Sequence, residues 1–229
     1  MTLQLPLPLH WPDQATFDNF YVGDNAVALN AVQQLVSFKA GFSCVYIHGA
    51  AGAGLSHVLY AACHAAHQVG STASYLPLQK TPSPQLLEGL EQLSLVCWDD
   101  VDAVAGQRAW EEALFHSYNR MQATGTRLLV AAHAPPGQIA WSLPDLGSRL
   151  AASTVFAIKP LSDEDKLAAL QQRAKRRGLE LADEVGLYLL HHGPRDTHAL
   201  FASLEKLDQF SLATQRRLTI PFVKQVLQI

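Results

Sequence analysis

Short apolar runs recur through the first two thirds of the chain, and stretches with helical spacing separate them. Residues 43–48 (SCVYIH) form an apolar run that ends at a glycine and predict a buried strand. Residues 55–69 predict a helix, 72–77 a second strand, 94–98 (SLVCW) a third, 107–123 a helix, 127–132 (RLLVAA) a fourth strand and 153–158 (STVFAI) a fifth. Between the second and third strands, Ser83-Pro84 supplies an N-cap and a first-turn proline. Leu86, Leu87, Leu90 and Leu93 behind it give a helical stripe. Strands alternating with helices predict an α/β fold, a parallel five-stranded sheet with helices on both faces.

After Pro160 the strand signal fades. Ser162 and Asp165 have capping-box spacing, Leu167 and Leu170 lie on one helical face, and Gly178 ends the helix beyond Lys175, Arg176 and Arg177. Helices at about 183–192, 195–210 and 219–227 follow, which predicts a small all-helical subdomain. Residues 1–14 (MTLQLPLPLHWPDQ) are a Leu/Pro segment whose prolines favour extended backbone. The expected division is an arm at 1–14, an α/β subdomain at 15–160 and a helical subdomain at 161–229.

Composition narrows the function. Hydrophobic residues make up 48% and charged residues 16% of the 229, which suits a globular chain. A net charge of -3 argues against tight binding of duplex DNA by the chain alone, because phosphate neutralisation dominates such binding. The three cysteines, Cys44, Cys63 and Cys97, form no CxxC pair and read as buried small hydrophobes. With no signal-peptide pattern and no apolar run of spanning length, a cytoplasmic, membrane-free protein is expected.

Two motifs carry chemistry. Gly49-Ala50-Ala51-Gly52-Ala53-Gly54-Leu55-Ser56 joins a strand to a helix, the setting of a phosphate-binding loop of pattern G-x-x-x-x-G-K-[ST]. Gly49, Gly54 and Ser56 are in place, and Gly52, Ala53 and His57 flank them. Leu55, however, stands where the pattern has lysine. Backbone amides can still curl around phosphates at the helix N-terminus, and Ser56 can ligate Mg²⁺. An ammonium to neutralise charge on the transferred phosphoryl group is missing. About 45 residues further on, with one strand–helix unit between, an apolar strand ends in Asp99-Asp100, the Walker-B form. Asp99 is the candidate Mg²⁺ ligand and Asp100 the candidate to orient a water. His133 follows the fourth strand, where a sensor residue would sit. Arg149 precedes the fifth strand, and Arg195 opens a helix of the second subdomain. A guanidinium presented to a γ-phosphate can speed hydrolysis by about 10³–10⁵. The run Arg173, Lys175, Arg176, Arg177 reads more simply as a helix C-terminus complementing its dipole.

Thr16-Phe17-Asp18-Asn19-Phe20 with Gly23 and Asn25 resembles the opening motif of the AAA+ domain of the bacterial replication initiator DnaA. Asp99-Asp100, Ser148-Arg149, Arg195 and Pro221-Phe222-Val223 fall in the order of that domain, and the resemblance covers residues 15–229. The initiator's DNA-binding domain is not expected within this chain. Gln4-Leu5-Pro6-Leu7-Pro8-Leu9 is similar to the Q-L-x-L-P-L motif by which Hda-type regulatory inactivators of DnaA bind the DNA polymerase sliding clamp. The resemblance implies an AAA+ P-loop fold with a helical lid, a bound diphosphate such as ADP, with Mg²⁺, and a sensor role for Arg195. It implies a clamp-binding arm (Gln4, Leu5, Leu7, Pro8, Leu9), contact with DNA mainly through the clamp, and self-association as in other AAA+ domains. It also implies that Arg149 acts as a trans arginine finger on ATP held by DnaA, which makes the chain a negative regulator of initiation. The alternatives are an ATPase of helicase-loader or clamp-loader type and a non-catalytic adaptor bridging clamp and initiator.

Overall fold

A computed structural model describes residues 15–37, 41–194, 196–214 and 216–228, apart from the side chain of His198. The clamp-motif residues Gln4, Leu5, Leu7, Pro8 and Leu9, and also Arg195, lie outside the described residues. Five parallel strands, β1 (Cys44–His48), β2 (Ala73–Pro77), β3 (Leu95–Asp99), β4 (Arg127–Ala132) and β5 (Thr154–Ala157), form one sheet in the order β2-β3-β4-β1-β5. The strands in the middle of this order, β1, β3 and β4, are the most apolar. A parallel strand covered on both faces has no solvent side on which to place polar residues.

Side-chain alternation divides the core between the two faces. Val45, Ile47, Leu95, Cys97, Leu129 and Ala131 face α1 (Ala26–Ser37) and α2 (Leu55–Gln68). Tyr46, Val96, Trp98, Leu128 and Val130 face α3 (Arg108–Thr124) and α4 (Pro144–Ala151). All three cysteines are buried, as their apolar settings predict. The segment behind Ser83 differs from the expectation of one helix. Ser83 does cap it, but Gly89 at φ 78° splits it into two short 3-10 turns, Pro84–Leu87 and Leu90–Gln92. Helices α1 and α4 were not predicted from the sequence.

Helices α5 (Asp163–Arg176), α6 (Asp183–His192), α7 (Thr197–Thr214) and α8 (Ile220–Leu227) bury a separate core that includes Leu170, Leu189, Leu204, Leu207, Phe222 and Val223. The expected cap is present: the Ser162 hydroxyl accepts the Asp165 N–H at 3.1 Å. The basic run near the end of α5 is engaged within the molecule. Arg173 lies 4.0 Å over the Phe201 ring, Arg177 pairs with Asp208 at 3.3 Å, and Arg176 donates to the Asp18 carbonyl. Among the described residues, no helix is long and apolar enough to cross a membrane.

Candidate functional site

The sheet positions the site by ending β1, β3 and β4 at the same edge. In the β1–β4 register His48 lies beside Ala132, and the Gly49 N–H donates to the Ala132 carbonyl at 3.2 Å, anchoring the start of the phosphate loop. Gly49 must be glycine here, because a Cβ would stand 2.4 Å from the Ile158 carbonyl oxygen. Inside the loop Ala53 N–H donates to Ala50. Gly54, at φ 97°, turns the chain into α2, whose first regular bond runs from Val58 N–H to the Gly54 carbonyl at 3.0 Å. The amides of the first turn of α2 therefore point off the helix end, where an anion is favoured.

Leu55 does not point at that cradle. It is 7% exposed and packs in the core that contains Phe20, Ile47, Val58 and Leu59. Ser56 is exposed at the mouth. His57 turns to the N-terminal segment: its Nε2 lies 3.0 Å from the Thr16 carbonyl, and its ring centroid lies 5.4 Å from that of Phe20. Burial holds the His57 pKa down to about 4, against the opposing hydrogen bond to Thr16. The Thr16 capping box with Asn19 shapes this segment, and Asn25 fastens it, exchanging two hydrogen bonds with the Lys159 backbone at 3.0 and 2.8 Å. Phe20 lies so close to Gly54 that a Cβ there would meet its ring at 2.9 Å. Beside Phe20, a cavity of about 620 Å³ opens between the segment and α5, lined by Phe17, Tyr21, Asp24, Asp165 and Gln172 among others.

Asp99 is buried, 1% exposed, so the acidic strand end is not a solvated turn. Its Oδ2 accepts the Tyr75 hydroxyl at 2.6 Å and its Oδ1 the Asp100 N–H at 3.1 Å. Tyr75 in turn stacks on Tyr60 at 4.0 Å. Asp100 takes the left-handed conformation, φ 53°, which Asp tolerates better than most residues. Partial burial and the neighbouring Asp99 charge raise its pKa. His133 comes to this cluster, but its nearest partner is Asp102: Nδ1 lies 3.2 Å from Asp102 Oδ2, which also accepts the His133 N–H, and 3.9 Å from Asp100. Tyr75 and Asp102, which bond to Asp99 and His133, are not among the candidates read from the sequence, nor is the cavity beside Phe20.

Arg149 sits in the last turn of α4, apart from the phosphate loop. It donates to Gln122 Oε1 at 3.2 Å and lies over the Phe115 and Tyr118 rings at 4.9 and 5.6 Å. Cation–π contacts and one hydrogen bond hold the guanidinium on α3 without an acid to neutralise it in these contacts.

Comparison with known proteins follows the same lines. Residues 163–227 match the family model of the Hda lid domain. The chain is similar in fold to domain III of the Thermotoga maritima replication initiation protein DnaA, with a TM-score of 0.80 at 18% identity over 95% of this chain and 97% of that one. AMPPCP-bound DnaA from Aquifex aeolicus gives a TM-score of 0.73 at 22% identity, covering 87% of this chain and 66% of that one. The Thermotoga maritima RuvB Holliday junction branch migration motor gives 0.65 at 13% identity, covering 93% and 71%. The fold is that of AAA+ proteins, with a helical lid.

Proposed function

We propose that this DnaA-like AAA+ chain with its Hda-type lid is a negative regulator of chromosome replication initiation that makes the initiator DnaA hydrolyse its ATP. The observation that carries this reading is the fate of Leu55. The phosphate cradle keeps its glycine geometry, while the side chain at the lysine position is packed into the core. Such a site can hold phosphates through backbone amides, but it has no loop ammonium to stabilise phosphoryl transfer. The chain's own nucleotide is then a ligand, a diphosphate such as ADP. The backbone amides from Gly52 to Ser56 would hold its phosphates, and the cavity beside Phe20, whose volume suits a small ligand, would take its nucleoside. Ser56 and Asp99 would hold Mg²⁺, which supplies charge neutralisation when bound. Each Asp99 oxygen accepts one hydrogen bond and retains a second lone pair for that purpose. His133 and Arg195 would complete the nucleotide-sensing set.

The activating chemistry belongs to Arg149. Presented to the γ-phosphate of ATP on the initiator, its guanidinium neutralises charge that develops in the transition state. The N-terminal arm, through Gln4, Leu5, Leu7, Pro8 and Leu9, binds the sliding clamp, so contact with DNA is mainly through the clamp. A motor of helicase-loader or clamp-loader type would need the lysine that Leu55 replaces.

The test follows ATP prebound to the initiator, in the presence of DNA-loaded clamp, with wild-type chain or Arg149→Ala. Wild type should accelerate hydrolysis. The variant should keep clamp binding and lose at least about 10²-fold of that acceleration. Equal acceleration by both forms refutes the finger and leaves the bridging adaptor. Turnover by the purified chain alone would restore the motor.

A further inference from the structure

Among the described residues, a carboxylate of the lid reaches the phosphate loop. Asp196 precedes α7 and caps it: Oδ2 accepts the Ala199 N–H at 2.8 Å, and its backbone carbonyl accepts the Leu200 N–H at 2.9 Å. The first of these bonds orients the side chain, and its other oxygen is turned to the loop. A Cβ built on Gly52, whose φ is +80°, would stand 2.9 Å from Asp196 Oδ1. An acid from the helical subdomain thus sits against the wall of an anion cradle, in a loop where Leu55 offers no charge to offset it.

On the reading that this loop binds a nucleotide, we propose that Asp196 is a specificity-determining residue that selects for fewer phosphates, favouring a nucleoside diphosphate over the triphosphate. The cradle's amides attract any phosphate. The Asp196 carboxylate repels each one in proportion to its charge, and a triphosphate brings one more negative charge than a diphosphate. In a loop of the usual pattern a lysine would outweigh such an acid. Here the side chain at that position is buried and apolar. The discrimination is electrostatic and should fade with salt.

The experiment titrates the full chain with fluorescent mant-ADP and mant-ATP at low and high ionic strength, comparing wild type, Asp196→Asn and Asp196→Ala. Asparagine caps helices as well as aspartate, so Asp196→Asn removes the charge and keeps the cap. Wild type should hold the diphosphate more tightly. Asp196→Asn should tighten the triphosphate about five- to tenfold relative to the diphosphate at low salt, and by less at high salt. Asp196→Ala should show the same change in the ratio together with a lower melting temperature from the lost cap. An unchanged ratio in Asp196→Asn overturns the role of Asp196 while leaving nucleotide binding intact. Failure of wild type to bind either probe overturns the nucleotide reading itself.

Discussion

Glu111 offers a sharp test of how Arg149 is held. It lies in the first turn of α3 and is fully buried, 0% exposed. Its carboxylate accepts three backbone N–H groups. Oε1 takes Gly106 at 2.6 Å and Ser142 at 3.1 Å, and Oε2 takes Leu143 at 2.6 Å. Ser142 and Leu143 lead directly into α4, so this side chain ties the start of the Arg149 helix to α3. Replacement by alanine leaves three amides in a buried setting. Each costs about 1–3 kcal/mol when unsatisfied, and entering water recovers part of that, so a net loss of about 3–5 kcal/mol is expected. Glu111→Gln keeps one acceptor oxygen but turns an amide N–H₂ toward a backbone donor, at a cost of about 2 kcal/mol. For a chain of this size 1 kcal/mol moves the melting temperature by about 2–4 °C, so the glutamine variant should melt roughly 4–8 °C lower. Urea unfolding gives the free energies. The initiator-ATP assay then reads the second consequence: the folded glutamine variant should stimulate less than wild type, because the base of α4 is loosened. Unfolding free energies of Glu111→Ala and wild type within about 0.5 kcal/mol would refute the reasoning, since three buried amides cannot lose their acceptor at so small a cost.

Further outcomes follow from the same geometry. Leu55→Ala should lower unfolding free energy by about 2–4 kcal/mol in urea, as deletion of a core leucine does, yet leave mant-ADP affinity within about twofold, because the cradle is backbone. Loss of nucleotide binding in a folded variant would show that Leu55 acts on the ligand. His57 is held neutral down to about pH 4 in the fold, while the unfolded residue takes its proton near 6.5, so the unfolded state binds more protons between those values. Its stabilising contribution is complete above about pH 6.5 and falls by roughly 3 kcal/mol as pH drops to 4. His57→Gln should flatten that part of the stability–pH curve, and parallel curves for both proteins would discard the assignment. Replacing Gln4 and Leu5 by alanine should abolish clamp pull-down with an unchanged melting temperature. A normal pull-down removes the arm from the mechanism.

Much of this fold is written in local pattern. The strands β1, β3 and β4 are apolar on both faces, which few alternatives to a buried parallel strand explain. The Ser162 cap, the Gly178 stop and the spacing of the lid leucines are equally local. Helix α1 carries a regular stripe, Ala28, Leu29, Val32, Leu35 and Val36, whose spacing is legible in the sequence, whereas α4 is only eight residues long and Gly147 interrupts its run. The segment behind Ser83 misled because Gly89, one glycine among leucines, does not announce a positive φ until tertiary packing requires it. At the site, the glycines of the loop and the paired acids of β3 are legible because their chemistry depends on residue type. The partner of His133, the orientation of Leu55 and the acid against Gly52 depend on segments distant in sequence. A glutamate in the first turn of a helix, such as Glu111, reads as an ordinary exposed charge.

Leu55 also explains how a phosphate loop can lose its lysine and keep its shape. The two functions of such a loop rest on different atoms. Binding depends on backbone: the close approach of Gly49 to the Ile158 carbonyl, the turn at Gly54, and amides that project from the first turn of α2. Phosphoryl transfer depends on a side-chain cation that can reach the reacting phosphate. The cation can be exchanged for a leucine without moving the backbone, because that position borders the core formed by Phe20, Ile47 and Leu59, and burying the side chain there is itself favourable by about 2 kcal/mol. A glycine change at 49 or 54 has no such compensation, since the added Cβ meets a carbonyl oxygen or an aromatic ring at less than 3.0 Å. The exchange at Leu55 is therefore one that the fold can accept with gain in stability and without cost to the cradle.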